Sequence, residues 1–195
     1  MEQLSDEWFK ERIGSIGGSS IGSVCAKGSG KTRDTLLYRF AGEILSGEKY
    51  HGFTNEHMDR GIEQESEARA AYGIATGNKV QQVGLIRLAP YKHYSPDGLV
   101  GENGIIEIKC VTPAIHVKTI MMNRLPPEYM KQIQWGLHVC KRDWCDFISY
   151  SPTVTSNQIW INNVTRDDKL ITEMDKEADK FIGEMLLIVK KIKGE

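Results

Sequence analysis

The chain has 195 residues, 40% of them hydrophobic, which is ample for one domain with a substantial core and short for two. Its 25 Lys plus Arg against 26 Asp plus Glu exclude a protein coated in basic charge and leave room only for a local basic channel. The longest strongly apolar run, MLLIV at 185–189, is far too short to span a bilayer.

The opening MEQLSDEWFKERIG is charged from its second residue, unlike a signal peptide. Cys25, Cys110, Cys140 and Cys145 show no CxxC spacing and the five histidines are scattered, so the expectation is no zinc site, reduced thiols and a cytosolic compartment. With no internal repeat, residues 1–195 read as a single domain.

In chain order, SDEWFKERIG predicts a short helix capped by Ser5, with Trp8, Phe9 and Ile13 apolar. A second short helix follows GSIGGSS and runs to about Cys25; KGSGKTR, 27–33, reads as a mobile basic loop. DTLLYRFAGEILSG predicts a helix with Leu36, Leu37, Phe40, Ile44 and Leu45 on one face and Gly47 as its stop. From Thr54 to Gly77 a long helix places Met58, Ile62 and Tyr72 in an apolar stripe, and Glu65 and Arg69 fall in that same stripe. A carboxylate on the inward face of a helix is costly unless it is paired or holds a metal.

VQQVGLIRLA, 80–89, reads as one strand, and LVGENGIIEIKCV as a hairpin turned by Asn103-Gly104. PPEYMKQIQWGLHVCK starts a helix at its prolines, WCDFISYS and NQIWINNV are two further strands, and an amphipathic helix runs from Arg166 to Lys193. Leu170, Met174, Phe181, Met185 and Val189 form its inward face. The expected fold class is α/β, a central mixed β-sheet flanked by helices.

Three patterns could carry chemistry. GSGKT at 28–32 suggests a phosphate loop, but the required glycine five positions before Gly30 is Cys25, and no apolar strand precedes it. In SPDGLVGENGIIEIKC, strand alternation sends Glu107 and Lys109 to one face, roughly 7 Å apart along the strand. Asp97 sits in a Pro-Asp-Gly turn. If the hairpin folds Asp97 beside Glu107, two carboxylates converge next to a lysine. They would repel unless a cation lay between them, and such hard oxygen donors suit Mg2+. The metal would lower the pKa of its bound water, and Lys109 would orient that water or stabilise developing charge. The bland alternative is a solvated strand face with an ion pair; the turn, the hairpin, the apolar opposite face and the inward Glu65 favour the site. Thirdly, Arg12 with Ser19 and Ser20 in GSIGGSS matches an anion pocket, or equally a capped helix with a surface arginine.

These pieces resemble the bacteriophage lambda exonuclease family, the YqaJ-like recombination nucleases of the PD-(D/E)XK superfamily. The likeness runs through WFKERIGSIGGSS, RGIEQESEARAAY, SPDGLVGENGIIEIKC, YMKQIQW and DFISYSP. It implies a restriction-endonuclease-like core with Asp97, Glu107 and the Ile108 carbonyl as metal ligands. Lys109 then resembles the catalytic lysine, Glu65 the helix carboxylate that assists the metal, and Gln132 the glutamine near the active site. Arg12 and Ser19 resemble the residues that hold the 5′-phosphate. A further family arginine would fall near Ser29, where only Lys27 and Lys31 are close in sequence.

The resemblance implies a double-strand-specific 5′→3′ exonuclease that releases mononucleotides and leaves a 3′ single strand. It also implies two Mg2+ ions per site with Mn2+ as a substitute, a ring-shaped homotrimer on double-stranded DNA ends, a single-strand annealing partner, and the host cytoplasm of a phage or prophage protein. A structure- or sequence-specific endonuclease of the same superfamily and a non-catalytic DNA-end-binding module are the rivals. The intact Asp97, Glu107 and Lys109 speak against the second.

Overall fold

A computed structural model describes residues 3, 5–26, 31–50 and 56–195, with the backbone alone over 56–62. Thr54, the loop residues 27–30 and the side chains of Met58 and Ile62 lie outside the described residues.

Helix α1 (Asp6–Lys10) starts where Ser5 Oγ accepts the Trp8 N–H. Helices α2 (Gly18–Val24), α3 (Lys31–Ser46) and α4 (Glu56–Thr76) follow. Helix α3 begins three residues earlier than the expected Asp34, so Lys31–Arg33 are helical rather than loop, and Gly47 ends it at φ +71°.

The main sheet has the order β1-β4-β5-β6-β7, from β1 (Val80–Gln81), β4 (Gly98–Val100), β5 (Gly104–Cys110), β6 (Trp144–Tyr150) and β7 (Ile159–Thr165). Only the β5–β6 pair is parallel, so the sheet is mixed as expected. Its crossover carries α5 (Pro113–Met122), a short 3-10 turn at Pro127–Tyr129 and α6 (Met130–Cys140). On one face α4 packs Ala68 and Tyr72 against Val100, Ile106, Ile108 and Ile148. The larger core lies on the other face, where Ile105 and Phe147 meet residues of α2, α3, α6 and α7 (Asp168–Lys193).

Two expectations need correction, and two elements, β3 (Lys92–Tyr94) and α5, were not anticipated. Residues 80–89 are not one strand: β2 (Ile86–Ala89) leaves the main sheet and pairs with β3 in a separate two-stranded sheet. The link between them contains Tyr91 at φ +63°. Strand β3 has no apolar alternation to announce it, yet it is buried throughout, because Lys92 pairs with Asp175 and Asp179, both at 2.6 Å.

The hairpin turns at 101–103, with Gly101 at φ +54°, whereas Gly104 is already in β5 opposite Val100. A Cβ on Gly104 would lie 2.3 Å from the Trp144 ring, so the missing side chain makes room for an aromatic. Helix α5 was not expected because its pattern is inverted. It buries His116 and Thr119 and exposes Ile115, Val117 and Met121. His116 is buried at no cost in unpaired groups, its ring nitrogens meeting Ser149 Oγ at 2.8 Å and the Asn157 carbonyl at 2.9 Å.

Candidate active site

The two-residue period of β5 puts Glu107 and Lys109 on the same face, while Ile106 and Ile108 enter the α4-side core. Glu107 is 2% exposed, and a carboxylate this deep must be satisfied on both oxygens. Its Oε1 accepts from Lys109 Nζ and from Gln132 Nε2 on α6, and its Oε2 accepts from the Tyr94 hydroxyl on β3. Lys109 Nζ also lies 5.3 Å from the ring centroid of Tyr129, which stacks on Phe147. Burial by itself would lower the Lys109 pKa, but Glu107 and Asp97 overcome it and hold the ammonium above the ordinary lysine value.

Asp97 arrives from the turn before β4. Its Oδ2 accepts the Ile108 N–H at 2.6 Å, and its carbonyl accepts Arg69 Nε at 2.9 Å. Glu65, one helical turn before Arg69 on α4, is ion-paired with that guanidinium. Burial, then the charges of Glu107 and Glu65, raise the Asp97 pKa well above its usual range. Glu65 is raised by burial and by Glu107, against the pull of Arg69. The three predicted carboxylates therefore sense one another, and Gln132 and Lys109 join them.

Among the described residues, no group of three or more His, Cys, Asp or Glu side chains is placed to hold a metal ion by itself. Mg2+ does not need such a cage, because it retains waters and is commonly bound through one or two carboxylates. Mutual repulsion among Asp97, Glu107 and Glu65 marks an excess of negative charge that a hard divalent cation would neutralise. The carboxylates of Asp97 and Glu107 have the donor chemistry for that role.

Arg12 and Ser19 are placed in different surroundings. The Arg12 guanidinium lies 3.8 Å over the Trp8 ring and donates from Nε to His93 Nε2 at 3.3 Å. Burial lowers its pKa to about 10, opposed by Glu43. With His93 Nε2 accepting, Nδ1–H is assigned as the donor to Ser15 Oγ at 2.7 Å. Ser19 is in the first turn of α2, at the edge of two cavities that Arg12 does not line.

Sequence reading missed Tyr94, Tyr129, His93 and Glu43. Glu43 is a buried hub that accepts the Gly14 N–H at 2.8 Å and Lys49 Nζ at 2.7 Å, and Lys49 also donates to the Arg12 carbonyl. An acid between Gly42 and Ile44 on the inward face of α3 was the available signal. For Tyr94 the signal was weaker: a tyrosine beside a histidine in a segment with no strand pattern.

The model of the YqaJ-like viral recombinase domain matches residues 7–143, a span that contains every predicted site residue. An alkaline exonuclease from Laribacter hongkongensis, LHK-Exo, is 36% identical, with 97% of this chain and 96% of that one covered and a TM-score of 0.90. The same exonuclease solved in complex with dAMP gives the same identity, coverage and TM-score. A phage-related exonuclease from Haemophilus somnus 129PT shares the fold at 16% identity and a TM-score of 0.70, over 91% of this chain and 96% of that one. No curated protein sequence matches the chain.

Proposed function

The chain belongs to the YqaJ-like viral recombinase domain family, and from that premise we propose that it is a Mg2+-dependent exonuclease acting 5′→3′ on double-stranded DNA. The observation that carries this reading is the convergence of Asp97, Glu107 and Lys109, with Glu65 and Gln132 around them. The similar exonuclease bound to dAMP supports the choice of substrate, since a deoxynucleoside monophosphate is what release of single nucleotides from DNA would leave.

Each side chain has a physical task. When bound, the metal supplies Lewis-acid polarisation of the phosphodiester and acidifies a coordinated water. Asp97 and Glu107 would hold the cation, together with the Ile108 carbonyl by family likeness. Asp97 is anchored for this by the Ile108 N–H, and Glu107 by Tyr94 and Gln132. The Lys109 ammonium, kept protonated by its carboxylate neighbours, orients the attacking water and offsets the charge that develops on the phosphoryl oxygens. Glu65, steered by Arg69, assists from α4.

Polarity must come from whatever grips the end, and we assign the 5′-phosphate to Arg12 and Ser19, the former already oriented by Trp8 and His93. A homotrimeric ring, two Mg2+ ions per site with Mn2+ as a substitute, and work alongside a single-strand annealing protein in the host cytoplasm complete the proposal by family likeness. No helix among the described residues is long and apolar enough to cross a membrane.

The test is digestion of 5′-phosphorylated linear duplex with and without Mg2+, beside closed-circular duplex and Asp97→Ala. Mg2+-dependent loss of 5′ nucleotides from the linear substrate alone is expected. Cutting of closed circles would move the reading to an endonuclease, and turnover by Asp97→Ala would remove the site. Arg12→Ala should lose most of the preference for 5′-phosphate over 5′-hydroxyl ends, roughly ten- to a hundred-fold for a charge-assisted contact of about 1.5–3 kcal/mol.

A further inference from the structure

Helix α4 carries a guanidinium that touches two of the three site carboxylate residues at once. Ala68 and Tyr72 are fully buried against β5 and β6, and the Tyr72 hydroxyl donates to Asp146 Oδ2 at 2.7 Å, so this part of α4 is fixed on the sheet. Arg69 leaves the helix between them, its side chain only 13% exposed. Its Nε donates to the Asp97 carbonyl at 2.9 Å, across 28 positions of the chain. Its Nη2 donates to Glu65 Oε1, one turn earlier on the same helix.

Nε and Nη2 share one edge of a planar, rigid fork. Two acceptors taken on that edge are held at a set separation and in a common plane, which the flexible point charge of a lysine does not impose. The Asp97 end of the bridge is itself confined. Asp97 Oδ2 accepts the Ile108 N–H at 2.6 Å, so the main chain and side chain of one residue are tied to different elements. Gly98 lies opposite Ile106, and a Cβ there would come 2.2 Å from Val80 Cγ1. Packing on that side leaves the carbonyl of Asp97 as the open end of the turn, and that carbonyl is the group Arg69 holds.

We propose that Arg69 is a positioning residue for the metal site: one edge of its guanidinium sets the Asp97 main chain and the Glu65 carboxylate in register, so that groups from the turn before β4 and from α4 face one divalent ion. The inference rests on the nuclease reading, since the ion is the one assigned to Asp97. It goes further in giving Arg69 a task at Asp97 as well as at Glu65.

The experiment is calorimetric titration of Mg2+ into the full chain without DNA. Wild type is compared with Arg69→Gln, Arg69→Lys, Glu65→Gln and the Arg69→Gln/Glu65→Gln pair, each checked by thermal melting in EDTA. Arg69→Gln should bind Mg2+ roughly 10- to 100-fold more weakly, as for other outer partners of a metal ligand. Arg69→Lys, which keeps the charge and loses the edge, should recover at most part of that loss. In the Glu65→Gln background Arg69→Gln should still weaken Mg2+ binding, because the Asp97 carbonyl remains its partner, but by a smaller factor than in wild type. A purely structural arginine would lower the melting temperature and leave the Mg2+ affinity of the folded variant unchanged, and that result overturns the proposal. So does wild-type affinity in Arg69→Lys, or no effect of Arg69→Gln once Glu65 is replaced. If Arg69→Gln does not fold, Arg69→Lys decides: weakened Mg2+ binding supports the bridge and wild-type binding overturns it. Wild type that neither binds Mg2+ nor cuts linear duplex removes the nuclease reading itself.

Discussion

Tyr94 and Glu107 belong to different sheets, yet the Tyr94 hydroxyl donates its hydrogen to Glu107 Oε2. Burial, then the Glu107 charge, raises the tyrosine pKa well above its usual value, so the phenol remains a donor. Tyr94→Phe should therefore leave Glu107 less firmly aimed. The expected outcome is Mg2+ affinity or turnover lower by roughly 10- to 100-fold, as for other groups that orient a metal ligand. Stability should fall by about 0.5–1.5 kcal/mol. Calorimetric Mg2+ titration beside urea unfolding separates the two effects.

Lys109 is held protonated against burial by Glu107 and Asp97. Lys109→Ala should cut the chemical step by on the order of 10²-fold or more while DNA binding stays largely intact. Single-turnover hydrolysis with saturating enzyme measures this, and wild-type turnover would remove Lys109 from the mechanism.

Glu107 and Asp97 are the proposed anionic ligands, with Glu65 on a separate helix. Glu107→Gln or Asp97→Asn should weaken Mg2+ binding and abolish cleavage, because a hard cation loses a charged oxygen. Glu65→Gln should give a milder loss. Unchanged Mg2+ affinity in both of the first two variants, measured by calorimetry, would place the ligands elsewhere.

Gly136 on α6 exists to let Tyr94 approach. A Cβ there would lie 2.6 Å from Tyr94 Cζ, and the equivalent atom on Gly18 would lie 2.5 Å from the other side of the same ring, at Tyr94 Cε2. In an unobstructed helix, Gly→Ala would stabilise by about 1 kcal/mol. Here overpacking against a fully buried ring should win, and Gly136→Ala should destabilise by about 1–3 kcal/mol. Repeating the substitution in a Tyr94→Ala background should reverse its sign, as read by urea denaturation.

His93 supplies a pH signature. Burial, then the charges of Arg12, Lys49 and Arg87, lower its pKa from 6.5 to about 3. Between those values the unfolded chain binds a proton that the folded chain refuses. Stability present above pH 6.5 is therefore lost on acidification, by about 1.4 kcal/mol per pH unit within the window. Urea unfolding from pH 7 to pH 5 should show a shallower decline for His93→Gln than for wild type. Equal slopes would mean that His93 is protonated in the folded protein.

Much of the active site was legible in the sequence because it is built from short-range geometry. The two-residue period of β5 places Glu107 and Lys109 together whatever surrounds them. The Pro-Asp-Gly turn and the adjoining hairpin bring Asp97 within reach of Ile108, and Ser5 and the spacing of Met174, Phe181 and Met185 announce the first and last helices. These are properties of the backbone over a few residues.

The polar interior was decided only by the tertiary structure. Arg12 meets His93 across 81 positions, Glu43 gathers donors from the loops at Gly14 and at Lys49–Tyr50, and α5 hides His116 while exposing Ile115. A titratable or polar side chain can be buried only where folding delivers its partner, and no local period encodes which partner that is. The sequence by itself therefore determined that two carboxylates and a lysine share a strand and its turn. Only packing of β3, α4 and α6 around them decided that Tyr94 reaches Glu107 and that Gln132 and Glu65, both already indicated by the sequence, come within range of its charge.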